Sequence, residues 1–288
     1  MHSDYIEEFA LAKLNLSFKI LNKLPNSFHQ IESYITFLPD IYDHLIIKKS
    51  SQNKIFINGK FANQLITKGG DTLIKKTIKS LSNLLNLNIC LKVHLKKNIP
   101  LGSGLGGGSA DAAALIRAII KLYKIDNKKK LIINNLSKIG SDVPACFFSK
   151  NVKASGTGEV LEPTKLLNKK LWVLLVKPKS NYSTKYIFES FKDTFAKPTN
   201  LNFTLSNLIN DLNNHKNSLE NTACQIEKNI KITINYLSNF SSLTLPRITG
   251  SGSTVFVLFN TKKDLKSYEC KLRFEKKNYW IASSYFRL

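Results

Sequence analysis

The chain has 288 residues, 43% of them hydrophobic, and a mean hydropathy of −0.15, the profile of a globular protein with room for one large or two moderate domains. Its formal charge of +23 invites a nucleic-acid reading, but the basic residues are 39 Lys and only 4 Arg, spread along the chain beside 29 Asn. That mixture resembles the drift of an A+T-rich genome rather than a surface of bidentate, stacking arginines, so no nucleic-acid partner is expected.

The N-terminal MHSDYIEEFALAK is acidic where a signal peptide would be basic, and no stretch approaches the ~18 apolar residues of a membrane span. Four scattered cysteines without a CxxC pair suit a reducing compartment and argue against a zinc site. A cytoplasmic protein that does not associate with membranes is the expectation.

Residues 9–20 alternate. Ala12, Leu14, Leu16, Phe18 and Ile20 fall on one face and Leu11, Lys13, Asn15, Ser17 and Lys19 on the other, the pattern of a half-buried strand. Further strand-like runs are 34–38, 44–49, 54–59 and 88–95, with a helix over 71–86. Residues 98–116, NIPLGSGLGGGSADAAALI, then carry five glycines: Gly102, Gly104, Gly106, Gly107 and Gly108. So much glycine implies positive φ angles or a close approach. Ser109 reads as the N-cap of a helix running to about Tyr123. Unpaired amides at such a helix start form an anion site; the bland alternative is a flexible linker, which seldom joins an apolar strand to an Ala-rich helix.

A helix over 127–139 ends at Gly140, followed by SDVPACFF at 141–148 and the stretch ASGTGEVLEP. The second half reads as strand 171–176, helices 184–192, 204–213 and 219–239, strand 253–259, helix 262–274 and strand 279–286. This order predicts an α+β protein of two domains, 1–160 and 161–288, meeting somewhere near 150–168.

Three familiar phosphate cradles fail. A Walker loop needs a lysine where Ser109 and Ala110 follow Gly108. A dinucleotide fingerprint should abut its strand, yet Lys96 to Pro100 intervene, and Asp126 lacks a second strand before it. A protein-kinase loop lies between hairpin strands, whereas a helix follows here. The run Pro100, Leu101, Gly102, Ser103, Gly104, Leu105, Gly106, Gly107, Gly108, Ser109 instead matches P-x-G-S-G-L-G-S/G-S throughout. At this point the chain resembles the galactokinase, homoserine kinase, mevalonate kinase and phosphomevalonate kinase superfamily. The longer form, G-x-G-L-G-G-G-S-x-D-A-A, is similar to the narrower family of 4-diphosphocytidyl-2-C-methyl-D-erythritol kinases.

Four more segments carry the resemblance in order: Ala12 to Leu16 (A-K-L-N-L), Gly140 to Pro144 (G-S-D-V-P), Gly156 to Glu159 (G-T-G-E) and Arg247 to Ser253 (R-I-T-G-S-G-S). The resemblance implies a ribosomal-protein-S5-like N-terminal domain that binds ATP and carries the catalytic residues, and a ferredoxin-like C-terminal domain that completes the substrate site. It implies ATP-dependent phosphorylation of a tertiary hydroxyl, Mg2+ arriving with ATP, a small-molecule substrate, and a monomer or homodimer. Residues 100–109 would hold the nucleotide phosphates.

By itself, Asp142 reads as a turn or cap residue, and Lys13 as a solvated lysine on a strand. The resemblance makes Asp142 the base and Lys13 its partner. Such a lysine would hold the aspartate ionised and stabilise the transferring phosphoryl group. Asn15, two residues on and facing the same way, would contact the substrate. Asp111 reads as a first-turn helix acid rather than a ligand, and no metal is assigned to protein ligands.

The family's cytidyl segment R-P-D-G-Y-H falls on Leu24 to His29. His29 would meet the cytosine edge and Phe28 would stack, without the tyrosine hydroxyl; Phe188 would supply the second stacking face and Thr184 would reach the substrate. Taken alone, Phe188 reads equally as a core residue. Leu24, Asn26 and Ser27 depart from the pattern, leaving open both a drifted working site and a relaxed substrate choice. A homoserine- or mevalonate-type kinase lacks this segment. A nucleic-acid-binding protein would not need Lys13, Asp142 and the glycine motifs.

Overall fold

The protein is described by a computed structural model over residues 5–25, 27–67, 69–70, 72–164, 169–199 and 208–288. Asn26, Asp71 at the start of the predicted 71–86 helix, and 204–207 of the predicted 204–213 helix lie outside the described residues.

The N-terminal alternation forms β1 (Ile6–Lys23), longer at both ends than the sequence pattern. It pairs with β2 (His29–Lys49), a single strand where the sequence suggests two runs broken at Pro39. Buried Ile35, Phe37 and Leu38 before the proline and Ile41, Leu45 and Ile47 after it keep the strand going, although Pro39 offers no donor. The half-buried expectation for β1 is corrected too: Lys13, Asn15 and Ser17 on its polar face are as buried as Ala12, Leu14 and Leu16.

Contacts divide the chain into two compact units, Met1–Lys13, Tyr42–Leu101 and Gly106–Ser149 in the first, and Leu14–Ile41, Gly102–Leu105 and Lys150–Leu288 in the second. They interleave in sequence because β1 and β2 are long enough to give part of their length to each.

In the first unit the C-terminal part of β2 pairs antiparallel with β4 (Leu91–Lys96), and β3 (Lys54–Asn58) runs parallel to β4, with Ile55 opposite Val93. Helices α1 (Ala62–Ile66) and α2 (Thr72–Leu85) precede β4. Next comes α3 (Gly107–Tyr123), which packs on α2 and is buried along most of its length. Its alanines at 110, 112, 113, 114 and 118 let neighbours approach closely.

The helix begins three residues earlier than expected. Gly106, not Ser109, is the N-cap, at φ +67°, where glycine alone is unstrained. The predicted 127–139 helix is instead a 3-10 turn at Asp126–Lys128, then α4 (Lys129–Ile133) and α5 (Leu136–Ile139), interrupted at Asn134 and Asn135. Such side chains compete for the backbone's own hydrogen bonds; here the Asn135 amide bonds the carbonyl of Leu131. The short α6 (Val143–Phe148) follows and packs on α3.

In the second unit the N-terminal part of β2 pairs with β5 (Val152–Ser155), which pairs with β6 (Val160–Pro163). A separate antiparallel sheet has the order β10-β7-β9-β8, from β7 (Lys170–Lys177), β8 (Arg247–Ile248), β9 (Val255–Phe259) and β10 (Trp280–Arg287). With helices between β7 and β8 and α11 (Lys262–Glu275) between β9 and β10, this is the ferredoxin-like β-α-β-β-α-β order.

Leu174, Val176, Val255, Val257, Leu265 and Leu272 share its core. The intervening helices are α7 (Thr184–Glu189), α8 (Leu208–Asn214), α9 (Glu220–Ile226) and α10 (Lys228–Leu237). The expected 219–239 helix breaks because Glu227 turns extended and caps α10 through its carboxylate to the Asn229 amide, 3.2 Å.

Candidate functional site

At the start of α3 the Ala110 amide bonds the Gly106 carbonyl at 2.9 Å, which leaves the amides of Gly107, Gly108 and Ser109 without intrahelical acceptors. They form the positive end of a 17-residue helix and suit an anion. Gly106 also lies against Lys13: a Cβ there would come within 2.7 Å of Lys13 Cγ. The lysine stem therefore runs along the loop backbone, and its ammonium reaches Asp142, Nζ to Oδ2 3.4 Å.

The pair is asymmetric. The Lys13 side chain is 5% exposed and that of Asp142 is 37%, so the cation is held inside while the carboxylate keeps access to solvent. This excludes the solvated-lysine reading. Asp142 is the N-cap residue of α6 in position, but its side chain makes no capping bond, so its oxygens are not committed to the helix.

At Gly140, two residues before Asp142, a Cβ would stand 3.3 Å from Val143 Cγ2 and 3.8 Å from Ser109 Oγ. Arg117 of α3 fixes α6 relative to β1. Its guanidinium bonds Glu8 at 2.7 Å and donates to the carbonyls of Cys146 (3.1 Å) and Phe9 (3.2 Å). Beneath, burial and then the nearby Asp142 push the Cys146 thiol well above its ordinary range, which marks it as an inert packing group.

The other half of the glycine segment belongs to the second unit. The Gly102 carbonyl accepts from Ser253 N (3.4 Å) and the Ser103 carbonyl from Thr254 N (3.3 Å). Gly104, at φ +74°, is so close to the R-I-T-G-S-G segment that a Cβ would stand 2.0 Å from the Thr249 carbonyl. Arg247 anchors that segment through the carbonyls of Leu212 and His215. Burial lowers its pKa to about 10, with Glu220 opposing, so it stays charged at neutral pH.

Asn15 is buried in the same unit. Thr249 Oγ1 accepts from its amide at 2.9 Å and donates to its Oδ1 at 3.4 Å, while its Nδ2 donates to Ser33 Oγ at 2.7 Å. Thr184 Oγ1 meets Ser251 Oγ at 3.0 Å.

Between β1 and β2, Ser27 N donates to the Leu24 carbonyl at 3.1 Å. Leu24 N donates to the Phe28 carbonyl (2.8 Å), and Ser27 sits at φ +65° where the family pattern has glycine. Phe28 is 57% exposed and His29 is buried, with its ring 5.5 Å from that of Phe188 and 6.1 Å from that of Phe191. Burial and the Lys23 charge lower the His29 pKa. Phe188 also packs edge-on against Phe18 at 6.0 Å, so it lies against the core as well as against His29.

Residues 72–150 match the family model described as GHMP kinases N terminal domain. A 4-diphosphocytidyl-2-C-methyl-D-erythritol kinase of Thermodesulfovibrio yellowstonii is 33% identical over 267 residues, covering 88% of this chain and 90% of the relative. The chain belongs to that kinase family. A family member of the same name from Anaplasma phagocytophilum is 31% identical over 274 residues, covering 94% and 90%.

Among solved structures, the fold matches a 4-(cytidine 5'-diphospho)-2C-methyl-D-erythritol kinase with a TM-score of 0.79 at 20% identity, covering 98% of this chain and all of that one. A homoserine kinase from Cytophaga hutchinsonii matches with a TM-score of 0.69 at 17% identity, covering 99% and 95%. As a kinase of this superfamily the chain is an ATP-dependent phosphotransferase. Among the described residues no helix is long and apolar enough to cross a membrane.

For a member of the 4-diphosphocytidyl-2-C-methyl-D-erythritol kinase family, the sequence reading missed one constellation. Asp111 is not in the first turn of α3 and is fully buried, paired with Lys97, which also meets Asp43. In the sequence Lys97 is simply one of two lysines after an apolar strand. The only trace of the pairing is the position of each acid on an otherwise apolar face.

Proposed function

We propose that the chain phosphorylates the 2-hydroxyl of 4-diphosphocytidyl-2-C-methyl-D-erythritol with ATP, in the non-mevalonate route to isoprenoid precursors, with Asp142 as the base and Lys13 as its partner. The observation that carries the assignment of roles is the Lys13–Asp142 pair, a buried cation against an accessible carboxylate, with the lysine stem laid along Gly106 at the head of the phosphate-binding helix. Asp142 takes the proton of the acceptor hydroxyl. Lys13 offsets the charge that builds on the hydroxyl oxygen and the transferring group. Amides from Leu101 to Ser109, led in by Pro100, hold the nucleotide phosphates, where glycines leave no Cβ in the way.

Magnesium bound with the nucleotide would neutralise phosphate charge during transfer, and no residue of the chain is assigned to hold it. Phe28 and Phe188 stack on the cytosine and His29 reads its edge. A lowered pKa keeps that imidazole neutral, with one donor and one acceptor to offer. Asn15 and Thr184 contact the remainder of the acceptor. On this reading residues 1–160 bind ATP and carry the chemistry, residues 161–288 complete the acceptor site, and the enzyme works in the cytoplasm as a monomer or homodimer.

Incubating the purified protein with ATP, magnesium and the cytidyl substrate tests the activity. Asp142→Asn and Lys13→Ala, each expected to lose most turnover, test the roles. Absence of product with the wild type, or full activity in Asp142→Asn, sinks the reading. Homoserine and mevalonate as alternative acceptors test selectivity and are expected to be poor substrates.

A further inference from the structure

Three charged side chains that the proposed mechanism does not use are buried together in the first unit: Asp43 in β2, Lys97 just after β4, and Asp111 in the second turn of α3. Lys97 Nζ donates to Asp43 Oδ2 at 2.6 Å and to Asp111 Oδ2. Asp43 Oδ1 accepts from the amides of Asn98 (2.5 Å) and Ile99 (2.8 Å), the first residues of the segment that leads into the glycines. The Lys97 backbone is itself clamped, its amide donating to the Asn58 carbonyl at 2.7 Å and its carbonyl accepting from Phe61 N at 3.0 Å. At the other end, Lys97 Nζ lies 3.2 Å from where a Cβ on Gly107 would stand.

Burial alone would lower the Lys97 pKa; Asp111 and Asp43 outweigh it and hold the ammonium charged. Two carboxylates thus share one ammonium in the interior. Buried ion clusters of this kind are seldom more stable than an apolar core of the same volume. Nor is a pair of aspartates near a helix N-terminus a device for attracting phosphate. Neither stability nor electrostatic attraction accounts for it, but position does: the cluster grips the segment where it leaves the sheet, at Asn98 and Ile99, and where it enters α3, at Asp111.

We propose that Asp43, Lys97 and Asp111 are positioning residues that hold both ends of the nucleotide loop, so that its amides converge before ATP arrives. This deepens the reading of residues 100–109 as the ATP site and rests on it.

Asp111→Asn separates positioning from charge by the sign of its effect. Removing a negative charge near a phosphate site strengthens ATP binding if electrostatics dominate, and weakens it if the cluster sets geometry. The expected result is a rise of roughly tenfold or more in the Kd of a non-hydrolysable ATP analogue, measured by calorimetry. The KM for the cytidyl acceptor should stay within about twofold, and hydrogen exchange should quicken at amides 98–110 but not elsewhere. Lys97→Arg keeps the charge and changes only the shape; it should weaken the analogue similarly, and it serves if Asp111→Asn does not fold.

Equal or tighter analogue binding in a folded variant overturns the proposal, as does exchange that quickens uniformly through the chain. Direct binding keeps the two readings apart. A wild type that fails to bind the analogue defeats the ATP-site reading, whereas a binding wild type and an unaffected variant defeat only this inference.

Discussion

Substituting Gly106 by alanine tests the link between the loop and the Lys13–Asp142 pair proposed as catalytic. At φ +67° an alanine costs about 1–2 kcal/mol relative to glycine. Its Cβ would stand 2.7 Å from Lys13 Cγ, so the stem must retreat by about 0.7 Å to reach ordinary contact at 3.4 Å. Overpacking of that kind adds about 1–3 kcal/mol, for a total loss near 2–5 kcal/mol, which a domain of ordinary stability survives.

The same displacement carries the ammonium off Asp142. A misplacement approaching 1 Å at a reacting centre costs on the order of a hundredfold in kcat/KM. The assay is a double-mutant cycle with Lys13→Ala, read by steady-state kinetics and by denaturant unfolding. Without the lysine stem there is no clash, so Gly106→Ala in that background should lose only the backbone cost of about 1–2 kcal/mol and little further activity. Full kcat/KM in Gly106→Ala alone, or activity losses that multiply independently in the double variant, would refute the reasoning.

Ser27→Gly should stabilise the protein by about 1 kcal/mol, because a serine at φ +65° between β1 and β2 is replaced by the residue that tolerates it; chemical denaturation measures this, and a loss of stability would speak against that backbone geometry. Arg117→Met should cost about 1–3 kcal/mol, since it leaves the largely buried Glu8 carboxylate with Lys121 as its remaining ion-pair partner and releases the carbonyls at the end of α6; a change under about 0.5 kcal/mol would show that the pair is dispensable. His29 has a pKa below the 6.5 it takes in the unfolded chain, so the unfolded state binds more protons as the pH falls. The stability that His29 contributes is therefore present above pH 6.5 and declines as the pH drops toward the lower folded value. Compared with His29→Gln, the wild type should lose stability faster between pH 7.5 and 5.5, and parallel losses would count against the shift.

Much of the candidate site was legible because its chemistry is local in sequence. The glycines at 102–108 and the alanines after them mark a loop feeding a helix, and the β1 alternation puts Lys13 and Asn15 on one face. The ladder order β10-β7-β9-β8 was legible only as a list of strands, since periodicity does not say which strand pairs with which. Helix ends were misplaced where a side chain far from the pattern intervenes: Glu227 capping α10 splits one expected helix, and Asn135 bonding back to Leu131 helps split another.

What the sequence determined by itself was the kind of residues available and their faces: a glycine-rich loop before a helix, a lysine and an asparagine side by side on a strand, an aspartate before a proline. Tertiary structure alone decided which of those faces are covered and by what. Lys13 is a buried partner of Asp142 because a glycine admits its stem at position 106. Asp111 is an interior ion because Lys97 and Asp43, distant in the chain, converge on it. Local sequence sets a side chain's direction; its charge environment comes from the segments that fold against it, and those contacts are non-local.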